Sequence, residues 1–140
     1  MSSIDLKLIN AYQNAYYQVW HDEGIFELKI GVKSRALCEL FLRTKTETSI
    51  FITAFNPLGV MHSEIENKLF QTKLRYDLEA ISNIIYDGEG GDLSGEWPAE
   101  HSYLVMGIDR STGIKIGNKY EQNAILWVGS DHVPELILLR

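Results

Sequence analysis

Polar side chains that can do acid, base or ligand chemistry stand at the ends of several apolar segments of the chain. The set comprises Thr53, Asn56, Glu100, Ser102, Gln122 and Asn123. If the apolar segments are neighbouring strands, these groups meet in one crevice, where a carboxylate such as Glu89, Glu96 or Glu100 can serve as acid, base or metal ligand. Trp97 lies nearby in sequence and is costly to leave in water. The alternative is that the polar groups only satisfy strand ends and turns.

Asn67 is the most informative of the polar residues, because it heads an apolar helix face. It shares a helical stripe with Phe70, Leu74, Leu78 and Ile81. A buried amide costs about 1 to 3 kcal/mol if unpaired, so it needs a partner, and Asn56 is the best placed candidate. Both lie where a strand ends and a helix begins, the usual position of a ligand crevice in open α/β sheets. Asn67 therefore either faces a ligand or ties down the loop of residues 56–62.

Motifs of established catalytic and metal-binding classes are missing from the sequence. It contains neither the GxSxG of serine hydrolases nor the HExxH of zinc enzymes. The glycine-rich segment 87–98 departs from the calcium-loop pattern, because its sixth position is Asp92 and its twelfth is Pro98. It also lacks the spacing of nucleotide-binding loops. Catalytic residues stay unassigned, no metal site or cofactor is indicated, and whether the protein is an enzyme stays open.

The elements that must position these residues can be read from hydrophobic periodicity. Residues 50–55, 104–108 and 124–128 are apolar on both alternating faces, which is typical of central strands covered on both sides. Residues 25–30 alternate as a strand near a sheet edge, and residues 3–19 have the spacing of an amphipathic helix. Ser63 and Glu66 form a capping box that starts a long helix. Segment 87–98 is predicted to be a mobile loop anchored at Trp97, of the kind that often serves as a lid.

These elements predict one compact domain over residues 1–140. Its class is α/β or α+β, with a mixed central sheet of about five to six strands flanked by about four helices. The formal net charge of -6 and the lack of clustered Lys and Arg argue against nucleic-acid binding. No apolar run is long enough to span a membrane and no secretory leader is recognisable, so we expect a cytoplasmic protein with no membrane partner.

Several short motifs follow one another in a fixed order along the chain. They are Ala11-Tyr12 with Ala15-Tyr16, Ile52-Thr53-Ala54, Asn56-Pro57, Glu66-Asn67, Trp97 with Glu100-His101-Ser102, and Gln122-Asn123-Ala124-Ile125. In this order and spacing they resemble a small bacterial family called domain of unknown function 3293, and the resemblance spans nearly the whole chain. The resemblance implies a bacterial, soluble, single-domain protein with no established activity.

Two functions from different classes stay open, and each makes a structural prediction. The first is a small-ligand site, enzymatic or not, beneath the glycine-rich loop; it requires convergence in one pocket of Asn56, Asn67, Glu100 and Gln122. The second is a non-enzymatic protein-interaction module; it requires a contiguous exposed patch formed by Tyr16, Tyr17, Trp20 and Trp97. The partner is accordingly an unknown small molecule or protein, and the oligomeric state is open. We favour the first function.

Overall fold

The computed structural model describes residues 3–140. In this part of the chain the helices are α1 (Leu6–Asn14), α2 (Arg35–Thr44), α3 (Glu64–Glu79) and α4 (Arg110–Lys119). The strands are β1 (Tyr16–His21), β2 (Gly24–Leu28), β3 (Ser49–Ile52), β4 (Ile85–Gly91), β5 (Glu100–Met106), β6 (Ala124–Val128) and β7 (Glu135–Leu138). A short 3-10 turn covers Pro57–Gly59 between β3 and α3.

All of these strands belong to one seven-stranded sheet with the order β2-β1-β4-β5-β3-β6-β7. Every neighbouring pair is antiparallel. The α+β class is therefore confirmed, whereas the prediction of a mixed sheet is wrong and the strand count is slightly higher than predicted. The physical reason is that parallel strands are not neighbours in this sheet. Strands β3 and β4, which α3 connects, run parallel, but β5 lies between them. Strands β5 and β6 also run parallel, but β3 lies between them. This is the split β-α-β arrangement of ferredoxin-like units.

The central strands carry buried side chains on both faces of the sheet, as their sequences predict. On one face, Phe51 of β3 packs in a cluster with Leu37 and Phe41 of α2. On the other face, Ile50 packs with Leu74 of α3, and α4 packs closely above it. Strands β5, β3 and β6 are adjacent and none is an edge strand, so the predicted sheet centre is confirmed. The predicted ends at residues 55 and 108 are wrong, because β3 ends at Ile52 and β5 at Met106. No helix within residues 3–140 is both long and apolar enough to cross a membrane.

The N-terminal helix is shorter than predicted, because the sequence after Asn14 forms strand β1. Residues 16–21 are rich in aromatic residues and include Val19, a composition that favours strands once a pairing partner exists. Strand β1 pairs with β2 through a two-residue turn and with β4 on its other side. The prediction of a helix over residues 3–19 is thus wrong beyond Asn14, and the predicted edge strand is confirmed as β2.

The glycine-rich segment is also more ordered than predicted, since β4 continues through Gly91. A side chain at position 88 would place its Cβ only 2.1 Å from the backbone oxygen of Gln18, so glycine is required for β1 to approach β4. The predicted mobile loop over residues 87–98 is therefore wrong for residues 87–91. Irregular structure is confined to residues 92–99.

Candidate functional site

A cavity of about 490 Å³ opens on the Phe51 face of the sheet, between the sheet and α1. Small residues on neighbouring strands, Gly90, Ser102 and Ala124, line it and leave space above the sheet. Its aromatic side includes Tyr17 and Phe51, whose rings meet edge to face at 5.7 Å. Helix α1 contributes Leu8, Ala11 and Tyr12 to the wall, and its C-cap residue is Ala15. The 92–99 loop contributes Asp92, Glu96 and Trp97. The cavity is therefore mostly apolar, with polar groups at one end.

Glu100, the first residue of β5, is the central polar group of the cavity. Its Oε2 accepts hydrogen bonds from Asn56 Nδ2 at 2.7 Å and from Trp97 Nε1 at 3.0 Å. Burial raises the pKa of the Glu100 carboxyl, against the smaller lowering effect of these two bonds. A half-buried carboxyl with a raised pKa is costly to ionise and is typical of binding and catalytic positions.

A pair of buried amides fixes the side chain of Asn56. The backbone N–H of Asn56 donates to Asn67 Oδ1 at 2.8 Å, and Asn67 Nδ2 donates to Asn56 Oδ1 at 2.9 Å. The N–H of His62 donates to the same Asn56 oxygen at 2.9 Å. The predicted pairing of Asn67 with Asn56 is confirmed, and Asn67 ties the loop without lining the cavity. It positions Asn56, which in turn holds Glu100.

Gln71 adds a second amide clamp that the sequence interpretation missed. Its Oε1 accepts from the N–H of Ala54 at 2.8 Å, and its Nε2 donates to the carbonyl oxygen of His101 at 2.9 Å. Thr53 Oγ1 donates to that carbonyl as well, at 2.7 Å. These bonds tie the end of β3 to the start of β5, next to Glu100. The available signal was the four-residue spacing from Asn67, which puts both amides on one helix face.

The buried face of α3 consequently differs from the predicted stripe. It comprises Asn67, Gln71, Leu74 and Leu78. Phe70 is only partly buried, and Ile81 lies beyond the helix with 43% of its surface exposed. The predicted stripe is therefore confirmed at Asn67, Leu74 and Leu78, and Phe70 also packs against the core cluster of this face. It is wrong at Ile81, because the helix ends at Glu79.

Most of the polar residues predicted for the site lie together around the cavity. They are Thr53, Asn56, Trp97, Glu100, Ser102, Gln122 and Asn123. Gln122 Nε2 donates to the carbonyl oxygen of Phe55 at 3.1 Å, which ties the strand end to the turn after α4. Glu89 is separated from this group, since it points to the opposite sheet face and accepts a hydrogen bond from the Tyr16 hydroxyl at 2.9 Å.

Tyr12 is a cavity residue that was predicted only to lie on an amphipathic helix. Burial raises the pKa of its hydroxyl, against the opposing effects of a hydrogen bond with Asn123 and the charge of Arg140. The signal was the helical repeat that contains Ala11 and Ala15, whose small side chains leave room beside the ring. No residue of α1 is fully buried, so this helix covers the cavity and not a solid core.

The aromatic residues of the alternative interaction patch do not form one surface. Tyr17 and Trp97 line the cavity. Tyr16 and Trp20 alternate with Tyr17 along β1 and so lie on the other sheet face. The contiguous patch that an interaction module requires is absent from this arrangement. Within residues 3–140, no cluster of three or more His, Cys, Asp or Glu side chains is arranged to hold a metal ion.

Comparison with known proteins agrees with the resemblance seen in the sequence. The model of a family described as "Protein of unknown function (DUF3293)" matches residues 52–125, which contain Asn56, Asn67, Glu100 and Gln122. The match is shorter than the predicted near-complete span and leaves out α1. Neither a curated protein nor a solved structure matches the chain. Because the family match covers more than half of the 140 residues, the chain belongs to the DUF3293 family.

Proposed function

We propose that the protein binds a small organic molecule in the cavity between α1 and the sheet, with Glu100 as the polar group that fixes the ligand. The observation that carries the proposal is a half-buried carboxyl in the wall of an open, mostly apolar cavity of about 490 Å³. Small-molecule sites have volumes of about 300 to 1,000 Å³ and combine apolar walls with a few convergent polar groups.

The support around Glu100 favours a binding role over simple strand-end satisfaction. Asn56 and Trp97 hold one carboxyl oxygen in place, and Asn67 fixes Asn56 from outside the cavity. A group held in this way loses little freedom when a ligand arrives, so it contributes more to affinity than a mobile side chain does. Keeping the carboxyl half-buried also has a stability cost, and costs of this kind concentrate at functional sites.

A fragment screen followed by protein NMR tests the proposal. The side-chain N–H signal of Trp97 reports on the cavity, because this group donates directly to Glu100. The corresponding signal of Trp20, on the other sheet face, serves as an internal control. We expect aromatic fragments to shift the Trp97 signal in a saturable way and to leave the Trp20 signal unchanged.

A pair of valine substitutions tests whether such fragments occupy the cavity itself. A Cβ at position 90 meets the Tyr17 ring at 3.5 Å, an ordinary contact, so we expect Gly90→Val to fold and its methyl groups to fill space in the cavity. Gln18→Val places the same side chain on β1 away from the cavity. Fragment binding should be lost in Gly90→Val and kept in Gln18→Val. Equal binding by both variants, or a library that never shifts the Trp97 signal, would refute the proposed function.

A further inference from the structure

The charged residues around the cavity all have one sign. Asp92, Glu96 and Glu100 line it, whereas no Lys, Arg or His of residues 3–140 does. Arg140 partly offsets the burial that raises the pKa of the Tyr12 hydroxyl, but it does not line the cavity either. A cleft with walls of low dielectric constant focuses the field of such charges, which repels anions and attracts cations.

Glu100 itself has no cationic partner within residues 3–140. Its two hydrogen-bond donors, Asn56 and Trp97, are neutral and both bind Oε2. None of the seven salt bridges identified between described residues involves Glu100. Neutral donors orient a carboxylate but do not cancel its charge. The charge of a half-buried carboxylate of this kind is therefore neutralised only when a cation binds.

The apolar part of the cavity also suits a cation. Five aromatic side chains contribute to the lining, namely Tyr12, Tyr17, Phe51, Phe55 and Trp97. The faces of aromatic rings carry negative potential and attract ammonium groups, most strongly for tryptophan. Trp97 brings such a ring next to the carboxyl that its N–H contacts. Apolar walls, one carboxylate and an adjacent indole together select for an apolar body with a positively charged end.

We propose that the ligand is an organic cation, a molecule with an apolar or aromatic body and a protonated amine that binds Oε1 of Glu100. This inference rests on the proposed function and adds the chemical class of the ligand. The amine donates to the carboxylate oxygen that Asn56 and Trp97 leave free for it, while the body of the ligand packs between α1 and the small residues above the sheet. Anionic ligands are disfavoured by the same geometry.

Two sets of probes test the charge preference directly. Phenethylamine, phenethyl alcohol and phenylacetate share one skeleton, and tryptamine, tryptophol and indoleacetate share a larger one, so that each set offers a cation, a neutral molecule and an anion. Titrations of the wild-type protein, followed by the Trp97 side-chain N–H signal, give the dissociation constants. We expect the amine of at least one skeleton to bind about tenfold or more tightly than its alcohol, because charge-assisted hydrogen bonds exceed neutral ones.

Two glutamine variants then assign the preference to one residue. Glu100→Gln keeps the shape of the side chain and an acceptor for Asn56 and Trp97 but removes the charge. Glu89→Gln removes the same charge on the opposite sheet face and serves as the matched control. Glu100→Gln should bind the amine and the alcohol of a skeleton about equally, whereas Glu89→Gln should keep the wild-type ratio. Unchanged backbone spectra establish that both variants are folded.

The outcomes separate the ligand class from the proposed function. Equal binding of amine and alcohol, tighter binding of the carboxylate, or a preference that persists in Glu100→Gln would overturn the organic-cation inference, while measured binding in the cavity would still support the proposed function. If no compound of either skeleton moves the Trp97 signal at millimolar concentration, whatever its charge, the organic-cation inference fails, and the fragment screen with Gly90→Val alone decides the proposed function.

Discussion

Substitution of Asn67 by alanine tests the amide network that supports the site. The variant removes the acceptor for the backbone N–H of Asn56, which is buried in the folded protein. It also removes the donor to Asn56 Oδ1, although that oxygen keeps its bond from His62. A buried donor left unsatisfied costs about 1 to 3 kcal/mol, and the second bond adds about 1 kcal/mol. Alanine regains about 0.6 kcal/mol through its higher helix propensity.

The expected result is therefore a decrease of about 1.5 to 3.5 kcal/mol in the free energy of unfolding, measured by urea denaturation. A chain of this length should lose about 4 °C in Tm per kcal/mol. Asn118→Ala is the matched control, because Asn118 is exposed near the end of α4 and its replacement should be neutral or slightly stabilising. A loss within about 0.5 kcal/mol of zero for Asn67→Ala would refute the loop-tying role.

A double-mutant cycle shows whether the stabilisation comes from the interaction between Asn56 and Asn67. Asn56 has a positive φ of 50°, so glycine is the replacement that avoids backbone strain at this position. If Asn56 and Asn67 stabilise each other, Asn56→Gly combined with Asn67→Ala should cost about 1 kcal/mol less than the two single changes together. Strict additivity would mean that each amide acts through other neighbours.

Three further predictions concern the cavity and its rim. Gly90→Ala should leave stability unchanged or raise it by about 0.5 kcal/mol while weakening fragment binding, whereas Gly88→Ala, its matched contrast, should lose about 3 kcal/mol in urea denaturation. Burial raises the pKa of Glu100 in the folded state, so ionisation favours the unfolded chain as pH rises. Glu100→Gln should thus unfold at higher urea concentration than wild type at pH 7. This gain in stability should vanish below about pH 4, where Glu100 is protonated in both states. A gain that does not depend on pH would contradict ionisation of Glu100 as its cause. Hydrogen exchange should be fast for residues 92–95 and slow up to Gly91, and uniform protection across both would rule out a mobile rim.

The region from β3 to the start of α3 was predictable because its signals are local. Pro57 opens the 3-10 turn between β3 and α3, and the capping box of Ser63 and Glu66 fixes where the helix begins. The pairing of Asn67 with Asn56 was equally accessible, since a buried amide must find a partner close by. These inferences require only short-range sequence information and the rule that buried polar groups are satisfied.

The wrong predictions of secondary structure, by contrast, each depend on contacts between segments that are distant in sequence. Residues 16–21 become a strand because β4 is available to pair with them, and Gly88 is needed because the backbone of Gln18 approaches it. Neither fact can be read from either segment alone. Tyr12 was not predicted as a cavity residue for a related reason. An amphipathic pattern shows which side of a helix faces the protein, but not whether that side meets packed side chains or a cavity.

The polar groups on the two faces of the sheet should affect stability in opposite ways. This difference separates structural groups from ligand-binding groups. Asn67 and Gln71, on the α3 side, are satisfied by the backbone at the strand ends, so removing either should destabilise the protein. Glu100, on the cavity side, is held by neutral donors and is costly to ionise, so removing its charge should stabilise the free protein while weakening the binding of a cation. If Glu100→Gln raises the free energy of unfolding and Asn67→Ala lowers it, then Glu100, where the ligand is proposed to bind, costs stability. Asn67 then stabilises the loop that positions it.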